Sequence, residues 1–148
     1  MSILPWRLNM IDQKYIRLKF AEAKKYLIKI DEVSSEEDLI QNLDTQLKVE
    51  RVFEILTQSI LDICTHISSK SNIGVPTSYT NCIDNLVQLN ILPKSELVKF
   101  QNLIKMRNII VHQYGKIDYS ILFQGIKSLE KDFIQFQEFV LNYLKLMD

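Results

Sequence analysis

The chain has 148 residues, 47% of them hydrophobic and 24% charged, a composition typical of a single soluble globular domain. Lysine plus arginine equals aspartate plus glutamate at 18 each, so the formal net charge is zero and no global basic field is available to hold nucleic acid. Any RNA binding must therefore use a local patch. With 3 glycines and 3 prolines the chain is too poor in turn residues for a β-sandwich, which favours a helical fold.

Cysteine content and hydropathy exclude further classes of protein. Cys64 and Cys82 are too few for a disulfide framework or a metal-ligand set, and their apolar helical surroundings predict buried free thiols. Residues 1–9 are short and interrupted by Pro5, which does not fit a signal peptide. No apolar run approaches the roughly 18 residues of a transmembrane helix. We therefore expect a cytoplasmic protein without a membrane segment, built as one domain over residues 1–148 with residues 1–9 as an extension.

The first predicted helix runs from about Asn9 to Ile30. Apolar residues recur along it at spacings of three to five and form one stripe. The stripe consists of Ile11, Ile16, Phe20, Ala23, Leu27 and Ile30. The basic residues between them are expected to form a solvated face rather than a surface for RNA phosphates. These basic residues are Lys14, Arg17, Lys19, Lys24 and Lys25.

The second predicted helix opens at residues 34–38, where Ser34 with Glu37, or Ser35 with Asp38, matches a hydroxyl cap followed three residues later by an acid. It continues for more than thirty residues without glycine or proline, with a kink expected near residues 44–45. Its apolar stripe is Leu39, Leu43, Leu47, Val52, Ile55, Leu56, Ile60, Ile63 and Ile67. This helix is therefore expected to be long.

Three more helices are predicted after the loop at residues 68–77. A short helix begins at Ser78, and a fourth begins near Pro93 and leads to Gly115, which suits a helix C-cap. The last runs from about Asp118 to Leu146. Its inward face is predicted to hold Ile121, Leu122, Ile126, Leu129, Phe133, Phe136, Val140, Tyr143 and Leu144. The sum is an all-α bundle of five helices with antiparallel long helices.

The segment from Arg107 to Gly115 is the strongest candidate for a functional site. It spaces Arg107, His112 and Tyr114 as R-x-x-x-x-H-x-Y and holds one of the two histidines of the chain. Arginine offers a planar cationic fork for phosphate, and histidine exchanges a proton near neutral pH. We interpret the set as a site for metal-independent RNA cleavage, with His112 as general acid or base, Arg107 stabilising phosphate charge and Asn108 in support. No metal and no cofactor are expected.

Helical geometry limits how these side chains can meet. At about 100° per residue, His112 lies roughly 140° round the helix from Arg107, so a straight helix does not aim all the groups at one point. They can converge where the backbone turns after His112, or across a symmetric pair in which one patch meets itself. The catalytic interpretation therefore predicts a homodimer. The plain alternative is that these are ordinary residues at a helix end, where a histidine gains from the helix dipole.

The motif Arg107-Asn108-x-x-x-His112-x-Tyr114-Gly115 resembles the signature of the HEPN superfamily, and in particular its HepT-like toxin branch. The stretch from Glu50 to Ile67 is similar to the long helix of that family. Residues 76–79 and 90–93 look like its short connections. The resemblance covers about residues 48–144 and implies the five-helix HEPN-type bundle.

What the resemblance implies is a homodimeric endoribonuclease toxin of a type VII-like HEPN/MNT toxin–antitoxin system. Arg107 and His112 would be the ribonuclease pair and Asn108 their polar companion. Tyr114 would accept AMP groups from a minimal nucleotidyltransferase (MNT) antitoxin, and this AMPylation would silence the toxin. Each AMP would bring negative charge and bulk to the RNA groove.

Two other functions stay open on the sequence alone. A catalytically inactive HEPN module could bind a nucleotide or a nucleotidyltransferase and only scaffold it. An unrelated helical adaptor could carry the motif by accident. Among other polar residues, Glu50, Arg51 and Asp62 are expected to be solvated, with a role in orienting Arg107 or in a dimer contact as the alternative. His66 is expected to be an ordinary helix-end histidine rather than a metal ligand.

Overall fold

The computed structural model describes residues 11–112 and 117–147, and within them every regular element is helical. This confirms the prediction of an all-α fold. A short 3-10 turn at Lys94–Glu96 precedes the fifth helix. The six α-helices are α1 (Gln13–Ile30), α2 (Glu36–Gln41), α3 (Leu43–Ser69), α4 (Tyr79–Gln88), α5 (Leu97–His112) and α6 (Tyr119–Met147).

The second predicted helix is in fact two helices, so the described residues hold six α-helices where five were predicted. Asn42 leaves the helical region at φ −106° and ψ 113°, ends α2 and caps α3, where its side-chain oxygen accepts from the backbone N–H groups of Asp44 and Thr45. An asparagine in this extended conformation satisfies N–H groups that the first turn of a helix leaves unpaired. Leu43 and Leu47, which were predicted to belong to the apolar stripe, are exposed. The buried residues of α3 begin at Val49.

The first helix begins later than predicted. Ile11 and Asp12 are not helical, and Asp12 caps α1 by accepting from the backbone N–H of Tyr15. The predicted start at Asn9 lies outside the described residues. The predicted stripe from Ile11 to Ile30 is confirmed, because all six of its side chains are buried.

Helices α1 and α3 pack antiparallel, as three contacts along their length show. The backbone N–H of Asp12, before α1, donates to Nε2 of His66 near the end of α3 at 2.9 Å. In the middle, Lys19 meets Asp62, and beyond the end of α1 Glu32 meets Lys48 near the start of α3, each at 2.8 Å. The antiparallel arrangement predicted for the long helices is therefore confirmed for this pair.

Aromatic side chains from three helices meet in the core. Phe20 of α1 lies edge-on to Phe133 and Phe136 of α6, with ring centroids 6.0 and 6.2 Å apart. Phe100 of α5 lies 5.6 Å from Phe136. All four rings are buried. Such tilted and edge-on pairs add to the stability gained from apolar burial, and they fix α6 against both α1 and α5.

A buried polar contact sets the loop that leads into α4. The side-chain amide of Asn85 donates to Oγ of Ser68, and that hydroxyl donates to the carbonyl of Gly74, each at 2.7 Å. Gly74 has φ +85°, a backbone conformation that side chains disfavour. Cys64 and Cys82 are buried free thiols, as predicted, at the contact of α3 with α4. These contacts place the first residue of α4, Tyr79, beside α5.

His66 lies near the end of α3 and contacts the residues at the start of α1. Its Nε2 accepts the backbone N–H of Asp12, so the bond requires an unprotonated nitrogen, and its ring lies 5.0 Å from that of Tyr15. Burial lowers the pKa of His66, the Lys70 ammonium lowers it further, and the Asp12 carboxylate opposes both.

Stability is expected to fall as the pH drops below about 6.5, because the unfolded chain then binds a proton that folded His66 resists. The free energy of unfolding should drop by less than about 1.4 kcal/mol per pH unit, since solvent reaches part of the ring. Urea unfolding between about pH 8 and about pH 5, on wild type and His66→Gln, measures this. Parallel curves for the two proteins would show that His66 does not couple to folding.

Candidate functional site

Arg107 projects from α5 towards α3 and is held by two neutral amide oxygens. Its Nη2 donates to Oε1 of Gln58 at 2.7 Å, and its Nη1 donates to Oδ1 of the adjacent Asn108 at 3.2 Å. Arg107, Asn108 and Gln58 are all half-buried. Among the described residues, no carboxylate lies within ion-pair distance of this guanidinium, and its buried Nε has no hydrogen-bond partner. Within the described ranges, neutral partners therefore hold the cation in place and no carboxylate pairs with it.

An aromatic ring covers one side of this guanidinium. The ring of Tyr79 lies 5.2 Å from Cζ of Arg107, within the range of a cation–π contact. Tyr79 is 44% exposed, so the ring stands at the surface while it packs on the cation. Helices α3, α4 and α5 therefore each contribute one side chain to the position of Arg107.

Gln58 also contacts Asp62, which forms an ion pair between α3 and α1. Nε2 of Gln58 donates to Oδ1 of Asp62 at 2.8 Å, and Oδ2 of Asp62 accepts from Nζ of Lys19 at 2.8 Å. The hydrogen bond to Asp62 raises the pKa of Lys19. Lys19 was predicted on a solvated face, but its side chain is 27% exposed because it turns back over α3. The three side chains border a groove of about 270 Å³ between α1 and α3.

The structure brings together some of the predicted site residues. Arg107 and Asn108 touch, and Asp62 reaches Arg107 through Gln58. His112 is the last described residue of α5, five positions after Arg107. Tyr114 and Gly115 lie outside the described residues. That His112 and Tyr114 converge with Arg107 stays a prediction.

An apolar depression of about 220 Å³ lies between the end of α5 and the start of α6, next to the motif. Ile109 and Ile121 line it and are 43% and 56% exposed. The prediction that Ile121 points inward was wrong, because the buried stripe of α6 begins at Leu122. A pair of exposed isoleucines beside the motif is a surface that another protein could cover.

A comparison with protein families identifies the fold and the lineage. The sequence model described as ribonuclease HepT-like matches residues 23–140, which is most of the chain. The chain belongs to the ribonuclease HepT-like family. The resemblance inferred from the Arg107–Gly115 motif is thereby confirmed at the level of the family. The matched range contains Gln58, Asp62, Tyr79 and the motif at residues 107–115.

Two relatives of this HepT-like chain have names that describe an activity. One is the mRNA nuclease HepT of Shewanella oneidensis, 24% identical over 119 residues that cover 80% of this chain and 90% of the relative. The other is the tRNA nuclease HepT of Aphanizomenon flos-aquae, 32% identical over 103 residues that cover 68% of each chain.

Solved structures share the fold. A toxin–antitoxin complex with AMP-PNP superposes with a TM-score of 0.79 at 23% identity, covering 86% of this chain and 97% of the other. A tri-AMPylated Shewanella oneidensis HEPN toxin in complex with its MNT antitoxin gives 0.78 at 23% identity, covering 86% and 96%. YutE, a cytosolic protein of unknown function from Bacillus subtilis, gives 0.79 at 23% identity with 92% of each chain covered.

Sequence reasoning missed two residues of the site, Gln58 and Tyr79. A signal for Gln58 was present, because Gln58 and Asp62 lie four residues apart and so share one face of an otherwise apolar helix. Tyr79 had no such signal, since only the packing of α4 brings it to Arg107. Of the other polar candidates, Arg51 pairs with Glu54, while burial raises the pKa of Glu50, which accepts from the hydroxyl of Tyr119.

The described ranges contain neither a metal-ligand cluster nor a membrane-spanning helix. Over residues 11–112 and 117–147, no cluster of three or more histidine, cysteine, aspartate or glutamate side chains is placed to hold a metal ion. In the same part of the chain, no helix combines the length and apolarity needed to cross a membrane.

Proposed function

We propose that this chain is the toxin of a type VII-like HEPN/MNT toxin–antitoxin system and a metal-independent endoribonuclease. The observation that carries the proposal is Arg107, held by neutral partners five residues before His112, in a chain of the HepT-like family. Two relatives are named as nucleases, of mRNA and of tRNA. The substrate class proposed here is RNA.

The chemistry needs a proton carrier and a cation. The 2′-hydroxyl of the RNA attacks the phosphorus and loses its proton, while the bond from phosphorus to the 5′-oxygen breaks and that oxygen gains a proton. His112 would handle one of these transfers, and Arg107 would stabilise the charge that develops on the phosphate oxygens. Asn108 supports the site by accepting from the guanidinium of Arg107.

A homodimer would complete the site. The exposed pair Ile109 and Ile121 lies next to the motif, and a two-fold pair would cover this apolar surface with its own copy. The motifs of both copies would then line one cleft. We propose that residues 1–148 form a single HEPN domain that acts in the cytoplasm in this dimeric form.

Control of the toxin would come from AMP added to Tyr114 by an MNT nucleotidyltransferase. A structural relative is described as a tri-AMPylated HEPN toxin in complex with an MNT antitoxin, which supports this part of the proposal. Tyr114 stands two residues after His112, so a nucleotide there would place a negative phosphate close to the acid–base residue.

The test is cleavage of RNA by the purified protein in EDTA, with toxicity measured when the chain is expressed alone. We expect the protein to cleave RNA in EDTA and to inhibit growth when expressed alone. We also expect the toxicity to be relieved when a nucleotidyltransferase partner is co-expressed. A protein that binds the partner but neither cuts RNA nor inhibits growth would instead be a scaffold. Cleavage that disappears in EDTA and returns with added metal would contradict metal independence.

A further inference from the structure

The side chain of Gln58 has a fixed orientation between Arg107 and Asp62. Arginine can only donate hydrogen bonds, and a carboxylate can only accept them. The Gln58 amide therefore turns its NH₂ group to Asp62 and its oxygen to Arg107, at 2.8 and 2.7 Å. The reverse orientation would place donor against donor and acceptor against acceptor. The neighbours themselves determine which end of the amide faces the cation.

The negative charge next to this amide is compensated on its far side. Asp62 forms its ion pair with Lys19, on α1, and not with Arg107. The side chains of Lys19 and Asp62 are only 27% and 31% exposed, so the pair is partly shielded from solvent. Gln58 separates this ion pair from Arg107 by one neutral group.

We propose that Gln58 is a positioning residue that holds the Arg107 guanidinium with a neutral oxygen and so leaves its full positive charge for an RNA phosphate. This inference rests on the proposed function. A glutamate at position 58 would reach Arg107 equally well, but it would form a charge-assisted pair and occupy the cation. The clamp therefore depends on the neutrality of the amide as well as on its shape.

A purely structural role of Gln58 makes the opposite prediction. If the amide only joined α3 to α5, an ion pair from Gln58→Glu would preserve the link and the variant would stay active. If Gln58 keeps Arg107 available, the same variant loses activity while its fold is preserved. Gln58→Ala separates the two parts of the role, because it removes the clamp without adding charge.

The experiment compares RNA cleavage and RNA binding by wild type, Gln58→Glu and Gln58→Ala, with Gln88→Glu as the matched control. Gln88 is exposed on α4 and takes the same change in charge. We expect kcat to fall about tenfold in Gln58→Ala and about a hundredfold in Gln58→Glu, and to be unchanged in the control. In Gln58→Glu, the slope of the logarithm of the RNA-binding constant against the logarithm of the salt concentration should become shallower by about the amount that one phosphate contact contributes. Circular dichroism and urea unfolding check that each variant is folded.

Each outcome decides the inference. Gln58→Glu that cuts and binds RNA as wild type does would overturn it. If wild type cuts no RNA, the proposed function fails, and binding of single-stranded RNA decides the inference alone: unchanged affinity and salt slope in Gln58→Glu overturn it. Asp62→Asn gives a second test without a new negative charge. Its amide no longer dictates the orientation of Gln58, so we expect a several-fold loss of kcat, and wild-type kcat would count against the clamp.

Discussion

Replacing His112 with alanine is expected to lower kcat for RNA cleavage by about a thousandfold, the scale of a lost general acid or base. Arg107→Ala is expected to cost about a hundredfold to a thousandfold, because a group that stabilises developing phosphate charge is removed. The measurement is single-turnover cleavage of a labelled RNA in EDTA by wild type and by each variant. Both losses should appear in kcat more than in KM, since the two groups act on the transition state.

Two further variants separate chemistry from charge. Arg51→Ala removes the same charge from an exposed arginine that pairs with Glu54, and it should cleave RNA at the wild-type rate. Arg107→Lys keeps the charge at 107 but loses the planar fork that reaches Gln58 and Asn108, so an intermediate loss is expected. If His112→Ala cuts as fast as wild type, the assigned acid–base role is wrong. If Arg51→Ala falls as far as Arg107→Ala, the effect is one of general charge.

The helices could be predicted wherever burial follows the helical period. The stripes of α1 and α6 are regular, and nearly every residue predicted to face inward is buried. The break at Asn42 was missed because the apolar spacing from Leu39 through Leu43 and Leu47 continues across it. The cap consists of one residue, Asn42, with an extended backbone and a side chain that accepts hydrogen bonds. This local signal is weaker in the sequence than the continuous apolar spacing around it. Ile121 was also predicted wrongly, because it stands next to Leu122 at the start of α6 and the buried face of that helix begins at Leu122.

The site could be predicted only as far as it is contiguous in the chain. Arg107 and Asn108 are neighbours in sequence and touch in the fold. Gln58 lies 49 residues before Arg107, and Lys19 lies 43 residues before Asp62, so their contacts depend on tertiary packing. Spacing along one helix predicts that Arg107 and His112 point in different directions, but it does not predict that α3 and α4 supply the groups that hold Arg107.

Co-expression with a nucleotidyltransferase partner is expected to add AMP-sized mass steps to the wild-type chain and none to Tyr114→Phe. The phenol oxygen would lose its proton and bond to the α-phosphorus of ATP, from which pyrophosphate leaves, and phenylalanine lacks that oxygen while keeping the ring. Intact mass spectrometry of the purified chain measures the result. Tyr79→Phe is the matched control, because Tyr79 is an exposed tyrosine beside Arg107. Mass steps lost in Tyr79→Phe and kept in Tyr114→Phe would move the acceptor to Tyr79.

Modification and inhibition should then vary together. Each AMP carries a negative phosphate, and like charges brought together at an RNA-binding surface oppose binding, so modified wild type should cleave at least about tenfold more slowly than unmodified protein. Tyr114→Phe should remain active and toxic in the presence of the same partner. If Tyr114→Phe is neutralised as well as wild type is, the partner blocks the surface by binding to it. In that case Tyr114 does not control the toxin, and Arg107 is shielded by protein rather than by added charge.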